Sequence, residues 1–472
     1  MGSRSLTLPR HAWMYPVCAL LAQPVVAQLS NIHVNDLGTL GGRFTEAADI
    51  NEAGEVTGYS ETADGQIHAF VYTHGEMRDL GSLGGGGSLG RAINAAGQIT
   101  GFALTAAGEA HAFVYAAGTM ADLGASGITS SGNAINTAGQ VAGDASRPNG
   151  QQHAVLYSGG GVNDLDTMAD SSSTSEAINE RGQVTGTYED SIGSHAFLYS
   201  GGSMIDLLPG RSSFVSGIRA INNAGAVTGS FQVDGTLRGF VYADGHATDI
   251  GTLGADYTVA TAISSAGKVT GISARADGER HAFIYSGGTM SDVGTLGGTF
   301  SVGYALNESG QVAGQSMTSS GALHAFVSEN GTLLDLGQLV EALAPPGTVV
   351  ESVAIGINRS RQIIGRYRIS TPSDVQMPVK TRGFIATSVA SATSLFEDLI
   401  ASVAGIGPGK SLENKLQQAL AFYITGDTKA SCSRLSAFTH EVSAQDGKKI
   451  EHQTAVQLIQ QVGAINGVIG CP

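Results

Sequence analysis

Six histidines in this chain each stand eleven residues before an aspartate: His68 and Asp79, His111 and Asp122, His153 and Asp164, His195 and Asp206, His281 and Asp292, His324 and Asp335. Taken singly, an imidazole beside a carboxylate is a general base with its orienting partner. Six copies on a fixed beat, with arginine standing in at Arg238 and Arg382, point elsewhere. Histidine and arginine both donate hydrogen bonds to a carboxylate, so the pairs are expected to be structural. Arg238 is expected to face Asp249, and Arg382 to face Asp36 from the other end of the chain.

The remaining catalytic patterns fail on context. Gly86-Gly87-Ser88-Leu89-Gly90 fits G-x-S-x-G. It lies in a glycine-rich loop of a β repeat, without the strand–turn–helix elbow that exposes a nucleophile. The run from Gly405 to Ser411 has the lysine and serine of a phosphate loop, but Ala404 stands where its first glycine belongs. There is no H-E-x-x-H, and no zinc spacing of cysteine and histidine. No metal ligands are assigned and no cofactor is expected. Calcium at acidic loops such as Glu189-Asp190-Ser191 is the open alternative.

The elements that hold the histidines repeat as well. Asp-Leu-Gly, or a near copy, recurs at Asp36, Asp79, Asp122, Asp164, Asp206, Asp249, Asp292 and Asp335, in steps of 42 or 43 residues. Ile-Asn-x-x-Gly-x-Val-x-Gly keeps the same beat through Asn51, Asn94, Asn136, Asn179, Asn222, Ser264, Asn307 and Asn358. One unit reads as four short strands, a to d, joined by Asn- and Gly-bearing turns. Four strands per period of this length is a propeller blade; a parallel β-helix coil would be about half as long.

There are eight a–b–c sets, yet the eighth lacks a following Asp-Leu-Gly and the first Asp-Leu-Gly, at Asp36, precedes any set. Closure solves both: residues 32–37 complete blade eight beside residues 383–386, hiding the sheet edges. The predicted fold is all-β, an eight-bladed β-propeller closed by an N-terminal strand over residues 28–390, plus a small C-terminal α-helical domain over 391–472. Helical spacing of Leu395, Phe396, Leu399, Ile400 and Val403 marks the change.

The three motifs in order, cleanest at Ile93–Gly101, His111–Tyr115 and Met120–Gly124, resemble the HAF repeats of extracellular bacterial proteins. The resemblance spans residues 32–390 and implies secretion and the repeat fold, with no shared activity attached. The C-terminal part is similar to a FIMAH-type helical module.

Residues 1–27 read as a secretory signal peptide: Arg4 and Arg10, an apolar stretch, then Val25-Val26-Ala27 as a cleavage site. The protein is therefore expected to be secreted, extracellular or periplasmic, with no transmembrane segment. The chain carries a net charge of −15, and losing the two arginines makes it about −17. Nucleic acid is excluded as a partner, because its backbone would be repelled. Cys18 leaves with the signal, so Cys432 and Cys471 are expected to pair.

Repeated residues build scaffold, so function belongs where the repeat breaks. Extra residues occur at about 338–349 and 370–379, in a d–a and a b–c loop that leave the same face. Phe44, Tyr257 and Phe300 sit six residues before the repeat Ile (Leu306 in repeat seven) and Phe214 seven before it, d–a loop aromatics that other repeats lack. Two residues before each repeat Ile (Leu306 in repeat seven), the side chain also varies: Arg91, Asn133, Glu176, Arg219, Thr261 and Tyr304. Phe44, Arg91, Glu176, Phe214, Arg219, Tyr257, Phe300 and Tyr304 are the candidate ligand contacts. The expected function is a monomeric secreted binding or scaffold protein for an extracellular polymer or protein. The alternative is a polysaccharide-degrading lyase or hydrolase on the same scaffold.

Overall fold

A strand of the repeat is short because each glycine turn ends it. In seven of the eight repeats the turn glycine of Asn-x-x-Gly holds positive φ, as at Gly97 (φ 73°), while repeat eight forces Arg361 into the same region (φ 61°). The computed structural model describes residues 32–125, 128–166, 172–209, 215–329, 331–370, 379–388, 392–403, 405–406, 410–469 and 471. The signal-peptide reading and Phe214 lie outside them, as do residues 371–378 of the second insertion.

The chain is mostly β with helices at its C-terminal end. Each of the first seven repeats is an antiparallel four-stranded meander. In repeat two the strands are Gly84–Ile93, Ile99–Thr105, Ala110–Ala116 and Thr119–Asp122, paired in that order. In repeat eight only three strands follow in sequence: Val349–Ile357, Gln362–Ser370 and Val379–Ser388. The fourth position, beside Val379–Ser388, is taken antiparallel by the N-terminal strand Ile32–Asp36. The register is that of the other repeats: Asp36 lies opposite Phe384 as Asp79 lies opposite Phe70 and Asp122 opposite Phe113.

First strands of successive repeats lie side by side, and that of repeat eight also touches that of repeat one. The conserved phenylalanines of strand c, Phe70, Phe113, Phe197, Phe240, Phe283, Phe326 and Phe384, are fully buried between the sheets. Hydroxyls stitch neighbours together: the amide of Ala69 donates to Ser88 Oγ at 2.9 Å, and that of Ala325 to Ser352 Oγ at 2.9 Å.

The first insertion begins with a short helix, α1 (Gly337–Glu341), whose Val340 is buried in a cluster against which Ile32 and Val34 pack. It thus covers the N-terminal strand. At its end Thr348 O accepts from Ser370 N at 2.7 Å, so the two insertions leave from adjacent backbone.

The four further helices are α2 (Ala392–Ser402), α3 (Lys410–Ile424), α4 (Thr428–Gln445) and α5 (His452–Ile469). They share one apolar core, including Phe396, Leu416, Phe438 and Leu458. A disulfide joins Cys432 in α4 to Cys471 just beyond α5. Among the described residues no helix is long and apolar enough to cross a membrane.

Candidate functional site

Five histidines meet their aspartates through Nδ1, at 2.8 Å for Asp79 and 2.9–3.0 Å for Asp122, Asp164, Asp292 and Asp335. The same carboxylates also cap their turns, as where Gly81 N donates to Asp79 Oδ1 at 2.7 Å. His195 is the looser case, 3.7 Å from Asp206 and 3.1 Å from Asp190. The arginine expectation needs correction. Arg238 reaches forward to Asp256, 2.7 Å away, rather than to Asp249. Its longer side chain overshoots the strand d carboxylate that an imidazole meets. At Asp36 the hydroxyl donor is Tyr367 Oη, at 2.7 Å.

The non-repeating residues concentrate instead along the first strands. A β-bulge interrupts every one of them at the same place, for example between Gly90 and Ala92 and between Gly303 and Ala305. The bulged residues are Ala48, Arg91, Asn133, Glu176, Arg219, Thr261, Tyr304 and Ile355. A bulge leaves one residue unpaired and turns its side chain away from the ladder. The glycine of Val-x-Gly on strand b makes room for it. A Cβ at Gly101 would sit 1.8 Å from Leu89 O, and one at Gly314 would sit 1.9 Å from Val302 O. The last glycine of the Ile-Asn-x-x-Gly-x-Val-x-Gly motif is thus a bulge seat.

A second variable row runs beside the first. It follows the Val-x-Gly glycine on strand b: Tyr59, Phe102, Asp144, Thr187, Ser230, Ile272, Gln315 and Arg366. Sequence reasoning passed over it. Its signal was available, since this is a varying position inside an otherwise repeated strand.

In repeats two to four, and again where repeats one and eight meet, polar members of the two rows come together. Arg91 hydrogen-bonds Asn133 Oδ1, and its guanidinium lies 5.5 Å from the Phe102 ring centroid. Asn133 Nδ2 donates to Asp144 Oδ2 at 2.7 Å and to Ser175 O at 2.8 Å. Asp144 also accepts from Ser175 N at 2.7 Å; burial nonetheless holds its pKa above the usual carboxylate value. Arg91, Asn133, Asp144, Thr174, Ser175 and Glu176 line a cavity of about 320 Å³. Burial raises the Glu176 pKa against the opposing pull of Arg219. On the other side Tyr59 Oη donates to Glu46 Oε2 at 2.7 Å, and Arg366 lies 3.8 Å from the same oxygen. Burial and Glu46 push the Tyr59 pKa up to about 12. Tyr304 is 40% exposed and its pKa is raised, first by burial of its oxygen.

Of the aromatics singled out at the d–a loops, Phe44 packs edge-on against Tyr59, with ring centroids 5.7 Å apart. Tyr257 carries the Arg280 guanidinium 4.2 Å above its ring, and Arg280 pairs through its backbone with Phe300. Phe44, Tyr257 and Phe300 are each half-buried. Thr261 is engaged locally, its hydroxyl donating to Gly303 O at 2.7 Å.

No protein-family model matches the chain, and no curated protein matches it. Among solved structures it is similar to the β-propeller domain of the Trilobed protease from Pyrococcus furiosus, with 11% identity over 54% of this chain and 100% of that one, TM-score 0.34. It is similar to TolB from Acinetobacter baumannii, with 10% identity over 64% of this chain and 95% of that one, TM-score 0.33. A third is the acylaminoacyl peptidase of Pyrococcus horikoshii, with 10% identity over 72% of this chain and 60% of that one, TM-score 0.40.

Proposed function

We propose that this chain is a secreted eight-bladed β-propeller of the HAF-repeat kind, closed by its N-terminal strand, that binds an extracellular polymer or protein around the inner ends of its blades. The observation that carries the reading is the contrast between registers. Positions that face neighbouring repeats keep one residue type, while the bulge row and the strand b row vary in size, charge and ring content. A surface free to vary on a fixed frame is a recognition surface. The closure reading is supported by the pairing of Ile32–Asp36 with Phe384–Ser388 and by the contact of the eighth first strand with the first.

Lyase chemistry would ask a phenol to act as base near neutral pH, which needs a lowered pKa. Both phenols on this surface, Tyr59 and Tyr304, are shifted upward. Binding without turnover is therefore the reading adopted. The test is a panel of extracellular polysaccharides and proteins presented to the full mature chain, scored for retention and for new reducing or unsaturated ends. Retention with unchanged ends is expected. New ends would replace the binding reading with the enzyme reading.

A further inference from the structure

Resting on that reading, we infer that the cavity lined by repeats two, three and four is a subsite for one neutral sugar residue. Three observations converge on it. First, the charges offset one another. Arg91 lines the cavity with Asp144 and Glu176, and Arg219 of repeat five, outside the lining, acts on Glu176 through space. A balanced wall exerts no long-range pull on an ion, so recognition falls to short-range hydrogen bonds.

Second, the hydrogen-bonding capacity is only half used. Asp144 and Asn133 are tied to each other and to Ser175. Glu176 and Arg219 make no hydrogen bond among the described residues, and both are open to solvent. A carboxylate accepts and a guanidinium donates in a planar fork. Vicinal hydroxyls, each able to do both, satisfy such a pair without carrying charge. Third, the cavity wall is polar throughout, while the nearest ring, Phe102, lies under Arg91. A wall of that kind offers no apolar slot for a peptide side chain, and it suits the hydroxyl-covered edge of a pyranose. Hydroxyl donors would supply the hydrogen bonds that the Glu176 carboxylate lacks among the described residues.

The experiment is calorimetric titration of the full mature chain with methyl glycosides of glucose, galactose, mannose and xylose, with glucuronate and galacturonate, and with free amino acids. Saturable millimolar binding of at least one neutral glycoside is expected. Glu176→Gln should weaken it about tenfold, by loss of charge-assisted acceptance. Arg219→Gln should weaken it similarly. Glu176 is exposed and makes no hydrogen bond among the described residues, so the melting temperature of Glu176→Gln should not fall. Absence of binding by every neutral glycoside at millimolar concentration overturns the inference, as does tighter binding of uronates or amino acids. If polymer retention persists undiminished in Glu176→Gln, the sugar subsite falls while the binding function stands. If the mature chain retains no polymer or protein at all, the wider reading falls as well.

Discussion

The side-chain amide of Asn358 donates to the backbone carbonyl of Asn51, 3.0 Å away and 307 residues earlier in the chain. The same bond joins Asn51 to Asn94, Asn94 to Asn136, Asn136 to Asn179, Asn179 to Asn222 and Asn222 to Ser264, and it is longer, 3.4 Å, from Asn307 to Asn358. Each asparagine also shapes its own turn, as Asn94 Oδ1 accepts from Ala96 N and Gln98 N. One residue type thus forms the turn and ties it to the next. The step from Ser264 to Asn307 lacks this bond, because a serine hydroxyl is too short to cross.

Ser264→Asn should therefore add the missing link. It is expected to raise stability by about 0.5–1.5 kcal/mol, the net worth of one buried hydrogen bond. Asn179→Ala should lose about 1–3 kcal/mol, since it removes the bond to Asn222 O and strands the turn amides of Arg181 and Gln183. Chemical denaturation of both variants checks the pair. Equal stabilities for Ser264→Asn and the parent would remove the ladder from the account.

Gly101→Ala tests the bulge seat. The added methyl would meet Leu89 O at 1.8 Å in a backbone-to-backbone contact that no side chain can relieve by rotating. A loss of about 1–3 kcal/mol or more is expected, as for other overpacked sites. Arg91 should lose its hold on Asn133 at the same time, so titration of a bound glycoside would weaken too. A stable Gly101→Ala protein would mean that the bulge is not built around this glycine.

The scaffold was legible because its physics repeats. The Asp-Leu-Gly surplus at Asp36 placed the N-terminal strand against residues 383–386, and the pairing of Asp36 with Phe384 has the expected register. The bridge followed from Cys432 and Cys471 being the two cysteines left once the expected signal peptide is removed. What was not legible depended on side-chain length or on neighbours in space. Arg238 was matched to Asp249 by counting along the strand, but its reach takes it to Asp256. The strand b row escaped notice because Tyr59 and Arg366 converge on Glu46 only after repeats one and eight meet. The first insertion was assigned to a ligand face, and its helix also covers the N-terminal strand.

Repeat eight is basic in an acidic protein. Residues 349–388 hold Arg359, Arg361, Arg366, Arg368, Lys380 and Arg382 against Glu351 and Asp374, while the whole chain carries −15. Three of these arginines reach acidic residues of the repeats on either side. Arg361 meets Glu329 at 2.8 Å, Arg359 lies 3.7 Å from Glu52, and Arg366 lies 3.8 Å from Glu46. Each exposed pair contributes at most about 1 kcal/mol. Arg359→Ala with Arg361→Ala should cost no more than about 2 kcal/mol in low salt. The difference from the parent should shrink on adding salt, because exposed charges are screened. Thermal melts across ionic strength read it out. A salt-independent loss would point to backbone effects at Arg361, whose φ is 61°.

Asp49 supplies a pH-dependent test. It occupies a first-strand position that is Ala or Gly in the other seven repeats. Its carboxylate accepts from Ile50 N at 2.8 Å and from Ile93 N at 2.9 Å, so it joins repeat one to repeat two. Burial outweighs these bonds and pushes its pKa from 3.8 up to about 6. Between those values the folded protein holds a proton that the unfolded chain has released. Stability therefore falls as pH rises through this window, and the full penalty is present above about pH 6. Asn at this position never ionises, but it keeps only one of the two acceptor oxygens, so it loses the bond from Ile50 N or from Ile93 N at every pH. The stability of Asp49→Asn relative to the parent should therefore be about 1–3 kcal/mol more favourable at pH 7.5 than in acid, discounted for the partly open edge of the site. That pH-dependent part should vanish below about pH 4, where both folded and unfolded aspartate are protonated. Urea denaturation of parent and variant at the two pH values gives the comparison. A difference between variant and parent that is the same at both pH values would show that the carboxylate charge is not what the site resists.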